Sequence, residues 1–196
     1  MGTTRLEAFS DGVLAIIITV MVLEMKVPSG ADWEALRELT PVFLSYVLSF
    51  IYVGIYWNNH HHMLHVVKHL RGGALWANLL LLFWLSLVPF VTHWMNVTNF
   101  AAIPTATYGV VLLMAACSYW ILQRCLIAGE GPDSLLARAM GRDFKGNISV
   151  VVYLIAIPLA FYSNWAAQAG YVLVALMWLV PDRRIEKILA EEDQSA

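Results

Sequence analysis

Six stretches of the chain, residues 9–25, 41–57, 74–93, 104–122, 148–162 and 165–180, are apolar almost throughout. A helix needs roughly 20 mainly apolar residues to cross the hydrocarbon core, with about 17 as the lower limit. The first four runs meet that length and 148–162 and 165–180 fall just short of it; all six read as membrane-spanning helices, because lipid offers no water to satisfy an irregular backbone. Composition agrees: 60% of the 196 residues are hydrophobic and 13% charged, where soluble domains lie near one half and one quarter. The punctuation supports the same division. Thr40-Pro41 reads as a cap followed by proline in the first helical turn, and Pro104 and Pro181 stand at segment ends. The fifth run is the shortest and contains Pro158, which predicts a kink.

Lysine and arginine set the orientation. Ten of the 12 basic residues fall in the N-terminus and in the segments after spans two, four and six: Arg5; Lys68 and Arg71; Arg124, Arg138, Arg142 and Lys145; Arg183, Arg184 and Lys187. Only Lys26 and Arg37 fall on the other side. The positive-inside rule therefore places both termini in the cytoplasm, as an even number of spans requires. Twelve basic against 14 acidic residues leave no basic stripe for nucleic acid. The reading is one all-α, multi-pass membrane domain over residues 1–196, without an internal repeat and ending in a charged cytoplasmic tail, 182–196. Residues 127–146 form a cytoplasmic connection that is in part an amphipathic helix. Cys117 and Cys125 read as ordinary buried thiols.

The first run has sides. At about 100° per residue, Ile16, Thr19, Val20 and Leu23 share an arc of about 100°. Asp11 lies about 140° from Ile16 on the same wheel, so carboxylate and stripe face different neighbours. An ionisable group inside a membrane is a functional candidate by default. Two plainer readings stand beside it: Ser10 or Asp11 caps a helix starting at Gly12, and Thr19 bonds the carbonyl one turn back. Glu24, Asp32, Glu34 and Glu38 make the following loop acidic, either a solvated connection or an entrance that gathers cations.

Arg5 followed three residues later by Phe9-Ser10-Asp11 resembles the RxxxFSD signature of the transmembrane protein 175 family, potassium channels of endolysosomes and bacteria. The continuation DGVLAIIITVMVLEMKVP is similar to the family pattern, as are GIYWNNHH in the second span and WANLLLLFWLSLVPFVT in the third. These cover about half the chain; the last three spans match in number and hydropathy only.

The resemblance implies a homotetramer in a bacterial plasma membrane, with a central pore lined by the first helix of each subunit. By position, Ile16 would narrow the pore, Leu23 would form a further apolar ring with Val20 between them, and Thr19 would turn its hydroxyl to the ion path. No TVGYG-like stretch occurs, so a potassium preference would rest on side chains rather than on a carbonyl filter. The resemblance also implies a buried network between the motif's polar groups, Asp11 among them, and the polar residues of helices two and three, with His60, His61 and Asn78 as candidate partners. Arg5 is left between ions, Asp11 and lipid headgroups. The implied partners are further copies of the chain, membrane lipid and monovalent cations, with potassium as permeant ion and no cofactor, resident metal or catalytic residue.

Two other classes stay open. Five of six histidines crowd into NNHHHMLHVVKHL, and His61, His65 and His69 recur at i, i+4, i+8, a spacing that suits a metal-binding membrane enzyme. A secondary cation transporter would show broken helices and inverted repeats, of which Pro158 is the faint trace.

Overall fold

The computed structural model describes residues 3–67, 70–140 and 143–179. Nine helices run through them: α1 (Thr4–Leu23), α2 (Trp33–Glu38), α3 (Thr40–His65), α4 (Gly72–Ser86), α5 (Val88–Val97), α6 (Ala102–Glu130), α7 (Leu135–Met140), α8 (Phe144–Leu159) and α9 (Asn164–Leu179). No strand occurs among the described residues. Four segments are long and apolar enough to cross a bilayer: α1, α3, the composite Gly72–Val97, and α6. Helix α8, of 16 residues, is shorter than the usual span, and α9 runs for 16 residues to the edge of the described residues.

Several boundaries differ from the sequence expectation, each for a local reason. Helix α1 already begins at Thr4, which places Ser10 and Asp11 inside it and rules out their acting as its cap. Helix α3 runs two turns past Trp57, since nothing in NNHHHMLH stops a helix, and it ends at His65. The third run is interrupted at Leu87: Pro89 stands in the first turn of α5, where its missing N–H leaves the carbonyl one turn earlier without an intrahelical donor. Pro158 falls one residue before the end of α8, so it helps to end the helix and gives no mid-helix kink. In the 127–146 connection, α6 persists to Glu130 and stops at Gly131, which has φ +104° and donates its N–H to Ile127 O at 2.8 Å. The tail 182–196, together with Lys68, His69, Arg142 and residue 180 of the last run, lies outside the described residues.

Helix α1 packs on α3, α4 and α5, while α6 joins α4 and α5 to α8 and α9. The contact of α3 with α5, α6 and α9 is lined by hydroxyls as well as by aliphatic side chains. Ser45, Ser49 and Tyr52 lie on one buried face of α3. Ser49 Oγ meets Thr92 Oγ1 at 2.8 Å and Tyr108 Oη at 3.1 Å, and Tyr52 Oη donates to Tyr171 O at 2.5 Å. Tyr171 Oη donates in turn to Thr105 O at 3.1 Å. Interhelical hydrogen bonds of this kind contribute about 0.6–2 kcal/mol each in a membrane, where helices gain nothing from hiding apolar surface from lipid.

Candidate functional site

Helix α1 has two unlike faces. Leu6, Ser10, Leu14, Ile17 and Met21 are buried against the other helices. Ile16 and Leu23 are 63% and 81% exposed, Val20 and Phe9 are exposed as well, and Thr19 and Arg5 lie on the same side. Gly12 falls on this stripe too, and a Cβ placed there would meet nothing within 4 Å.

The rotation of α1 is held by a directed chain of hydrogen bonds. His60 Nε2 lies 2.7 Å from Asn78 Oδ1, Asn78 Nδ2 donates to Ser10 Oγ at 3.0 Å, and Ser10 Oγ donates to Leu6 O at 2.8 Å. Because Asn78 Oδ1 only accepts, the imidazole donates from Nε2. All three side chains are buried. Turning α1 by one residue would carry Asp11 into the place of Ser10 and bury a carboxylate against α4, at a cost of several kcal/mol.

Of the motif's polar groups it is Ser10 that joins the buried chain, and Asp11 stands outside it. Its carboxylate is exposed and accepts from Trp57 Nε1 at 2.9 Å. His61 is outside the buried chain as well: it stacks between Trp57 and His65, with ring centroids 6.1 Å from each. One turn of α3 thus serves two purposes, His60 pointing into the bundle and Trp57 with His61 lining its outside. Trp57 lies in the GIYWNNHH stretch that carries the resemblance, but nothing there marked it as the partner of Asp11.

The hydroxyl of Thr19 donates to Ile16 O at 2.9 Å. With its proton committed to the backbone, the oxygen presents lone pairs to the exposed side, the arrangement a cation requires. At the end of α1, Glu24 Oε2 lies 3.2 Å from His93 Nδ1 on α5, a pairing with no counterpart in the sequence reading. Asp32, in the acidic loop, accepts from Ala35 N at 2.9 Å and caps α2. Among the described residues no group of three His, Cys, Asp or Glu side chains converges as metal ligands would, and His69, the third member of the i, i+4, i+8 column, lies outside them.

Residues 5–89 match the family model described as endosomal/lysosomal potassium channel TMEM175. A potassium channel of Chryseobacterium sp. (strain P1-3) is 55% identical over 97% of this chain and 100% of its own length. The chain belongs to the TMEM175 family. A second relative, a potassium channel of Streptomyces collinus, is 32% identical over 89% of this chain and 90% of its own. The fold is similar to the crystal structure of a lysosomal potassium-selective channel TMEM175 homologue from Chamaesiphon minutus, with TM-score 0.74, 28% identity and coverage of 92% and 97%. The TMEM175 family and these relatives are channels rather than enzymes, and membership together with the four long apolar helices makes this a membrane protein.

Proposed function

We propose that four copies of this chain enclose a potassium-preferring cation path in a bacterial plasma membrane, with α1 of each copy facing the axis. In this reading α8 and α9 complete six crossings, both termini are cytoplasmic, and the bacterial relatives named potassium channels act as this one does. The observation that carries the reading is the outward stripe of Ile16, Thr19, Val20 and Leu23 on a helix whose opposite face is fully packed. Lipid alone would favour an apolar stripe; a hydroxyl with outward lone pairs and an arginine on the same side favour water and ions.

The Ile16 side chains form the constriction. An ion passing an apolar ring sheds or distorts part of its hydration shell, and potassium, more weakly hydrated than sodium, loses less by doing so. Thr19 oxygens offset part of that loss one turn further on, and the ring closes by dewetting when the helices approach. Selectivity is moderate, because no cage of carbonyls replaces the hydration shell.

The test is a bilayer recording under opposed potassium and sodium gradients. Ile16→Ser is expected to raise the current and move the reversal potential toward that of a non-selective pore; an unchanged reversal potential refutes the assignment. The carrier reading draws on the broken helix at Leu87. Unitary current steps exclude it, and slow saturable exchange would restore it.

A further inference from the structure

Between α3, α6, α8 and α9 lies a crevice of about 500 Å³, within the range of roughly 300–1,000 Å³ usual for ligand sites. Ile55, Tyr56, Ile121 and Val151 make its trough, and Trp120 and Trp178 stand in its wall. Trp120, Ile121 and Val151 are exposed, so the crevice opens on the apolar outside of the bundle. Water has few partners in such a trough and would not fill it stably. In a bilayer the medium at that opening is acyl chain.

Its two tryptophans each carry a cation. The Arg124 guanidinium stands 5.2 Å from the Trp120 ring centroid, and Lys145 Nζ stands 5.7 Å from that of Trp178. Trp178 is itself fixed by its Nε1–H donating to Ser149 Oγ at 2.9 Å. The one carboxylate in the lining, Asp143, caps its own helix by accepting from Gly146 N at 3.0 Å. Arg124 lies in the last two turns of α6 and Lys145 in the first turn of α8, and both are among the basic residues that mark the cytoplasmic side.

We propose that this crevice is a binding site for an anionic phospholipid of the cytoplasmic leaflet: one acyl chain lies in the trough, and the phosphate is drawn to Arg124 and Lys145. A protein surface seated there would have to strip water from both cations. A phosphodiester at the bilayer surface meets them while all three groups stay partly hydrated. The site is remote from the α1 stripe in the chain and does not depend on what that stripe conducts.

The test uses the full chain purified in mild detergent, offered equimolar phosphatidylglycerol and phosphatidylcholine, with retained lipid counted by native mass spectrometry. The wild type is expected to retain phosphatidylglycerol preferentially. Arg124→Gln and Lys145→Gln are each expected to cut that preference about fivefold, the factor that one basic residue supplies near an anionic surface, while Arg124→Lys and Lys145→Arg keep it. Val151→Trp, which blocks the opening, is expected to lower retention of both lipids. Equal preference in wild type and in the Arg124→Gln, Lys145→Gln double variant overturns the proposal, as does undiminished retention in Val151→Trp. A second measurement needs no change in the crevice: with Cys125→Ser, maleimide labelling of Cys117, which lines the wall, should slow on adding phosphatidylglycerol to delipidated protein. An unaltered rate speaks against an occupant there.

Discussion

Asn78 donates its side-chain amide to Ser10 Oγ at 3.0 Å, with both residues fully shielded. Serine is small enough to let α1 and α4 approach, and its oxygen both accepts this bond and passes its own proton to Leu6 O. Replacing Asn78 by Ala leaves His60 and Ser10 each short of a partner in a buried place. Expected is a loss of about 1–3 kcal/mol, read as a lowered midpoint of thermal unfolding in detergent. In a double-mutant cycle with Ser10→Ala, the two changes should couple by about 0.6–2 kcal/mol; strict additivity would show that the bond does not hold α1.

The Asp11–Trp57 bond sits on the outside and should behave otherwise. Asp11→Asn and Trp57→Phe are each expected to lower stability by less than about 1 kcal/mol, since water replaces a partner lost at an exposed site. Comparing their unfolding midpoints with that of Asn78→Ala checks this. A larger loss for Asp11→Asn would make the aspartate the hub.

Accessibility follows the two faces of α1. In a background with Cys117→Ser and Cys125→Ser, cysteines at positions 16, 19 and 23 should react with a water-soluble thiol reagent and the modification should lower the current. Cysteine in place of Leu14 or Ile17, which are 3% and 4% exposed, should remain unmodified. Protection at 16, 19 and 23 against water-soluble reagents, combined with reaction toward lipid-soluble ones, would place the stripe in the bilayer.

Gly109 of α6 lies under the phenol of Tyr171, and a Cβ at that position would collide with Tyr171 Oη and Cζ. The same hydroxyl donates to Thr105 O on α6. Gly109→Ala is expected to push the ring away and break that bond, destabilising by about 1–3 kcal/mol. Tyr171→Phe in the same background should recover part of the loss, because it removes the oxygen that clashes; the four unfolding midpoints decide it.

Much of the helix content was legible because hydropathy reports it directly. The long apolar runs became α1, α3, α4 with α5, and α6, within a few residues at most ends. The overruns of α3 and α6 were not legible, since polar residues such as Asn58, Asn59 and the histidines do not by themselves end a helix. That Ile16, Thr19, Val20 and Leu23 share one face of α1 followed from its period alone, because a helix wheel needs no tertiary information; that this face is exposed did not. Nor did the identity of the buried polar hub. Ser10 and Asp11 are neighbours about 100° apart on the wheel, and the carboxylate, being the more conspicuous group, drew the partners that the structure gives to the hydroxyl. Glu24 with His93 and Tyr52 with Tyr171 were invisible for a simpler reason: they join residues far apart in sequence, and no local pattern records which long-range pairs will meet.

The interruption at Leu87 gives the third rod a joint. Helix α1 is bolted near its start through Ser10 to α4, and near its finish leans through Glu24 on the separate piece α5. Its two ends answer to different bodies. Under the arrangement proposed above, the gap bordered by Leu23 is set from α5 through Glu24, while the aim of the helix is set from α4 through Ser10.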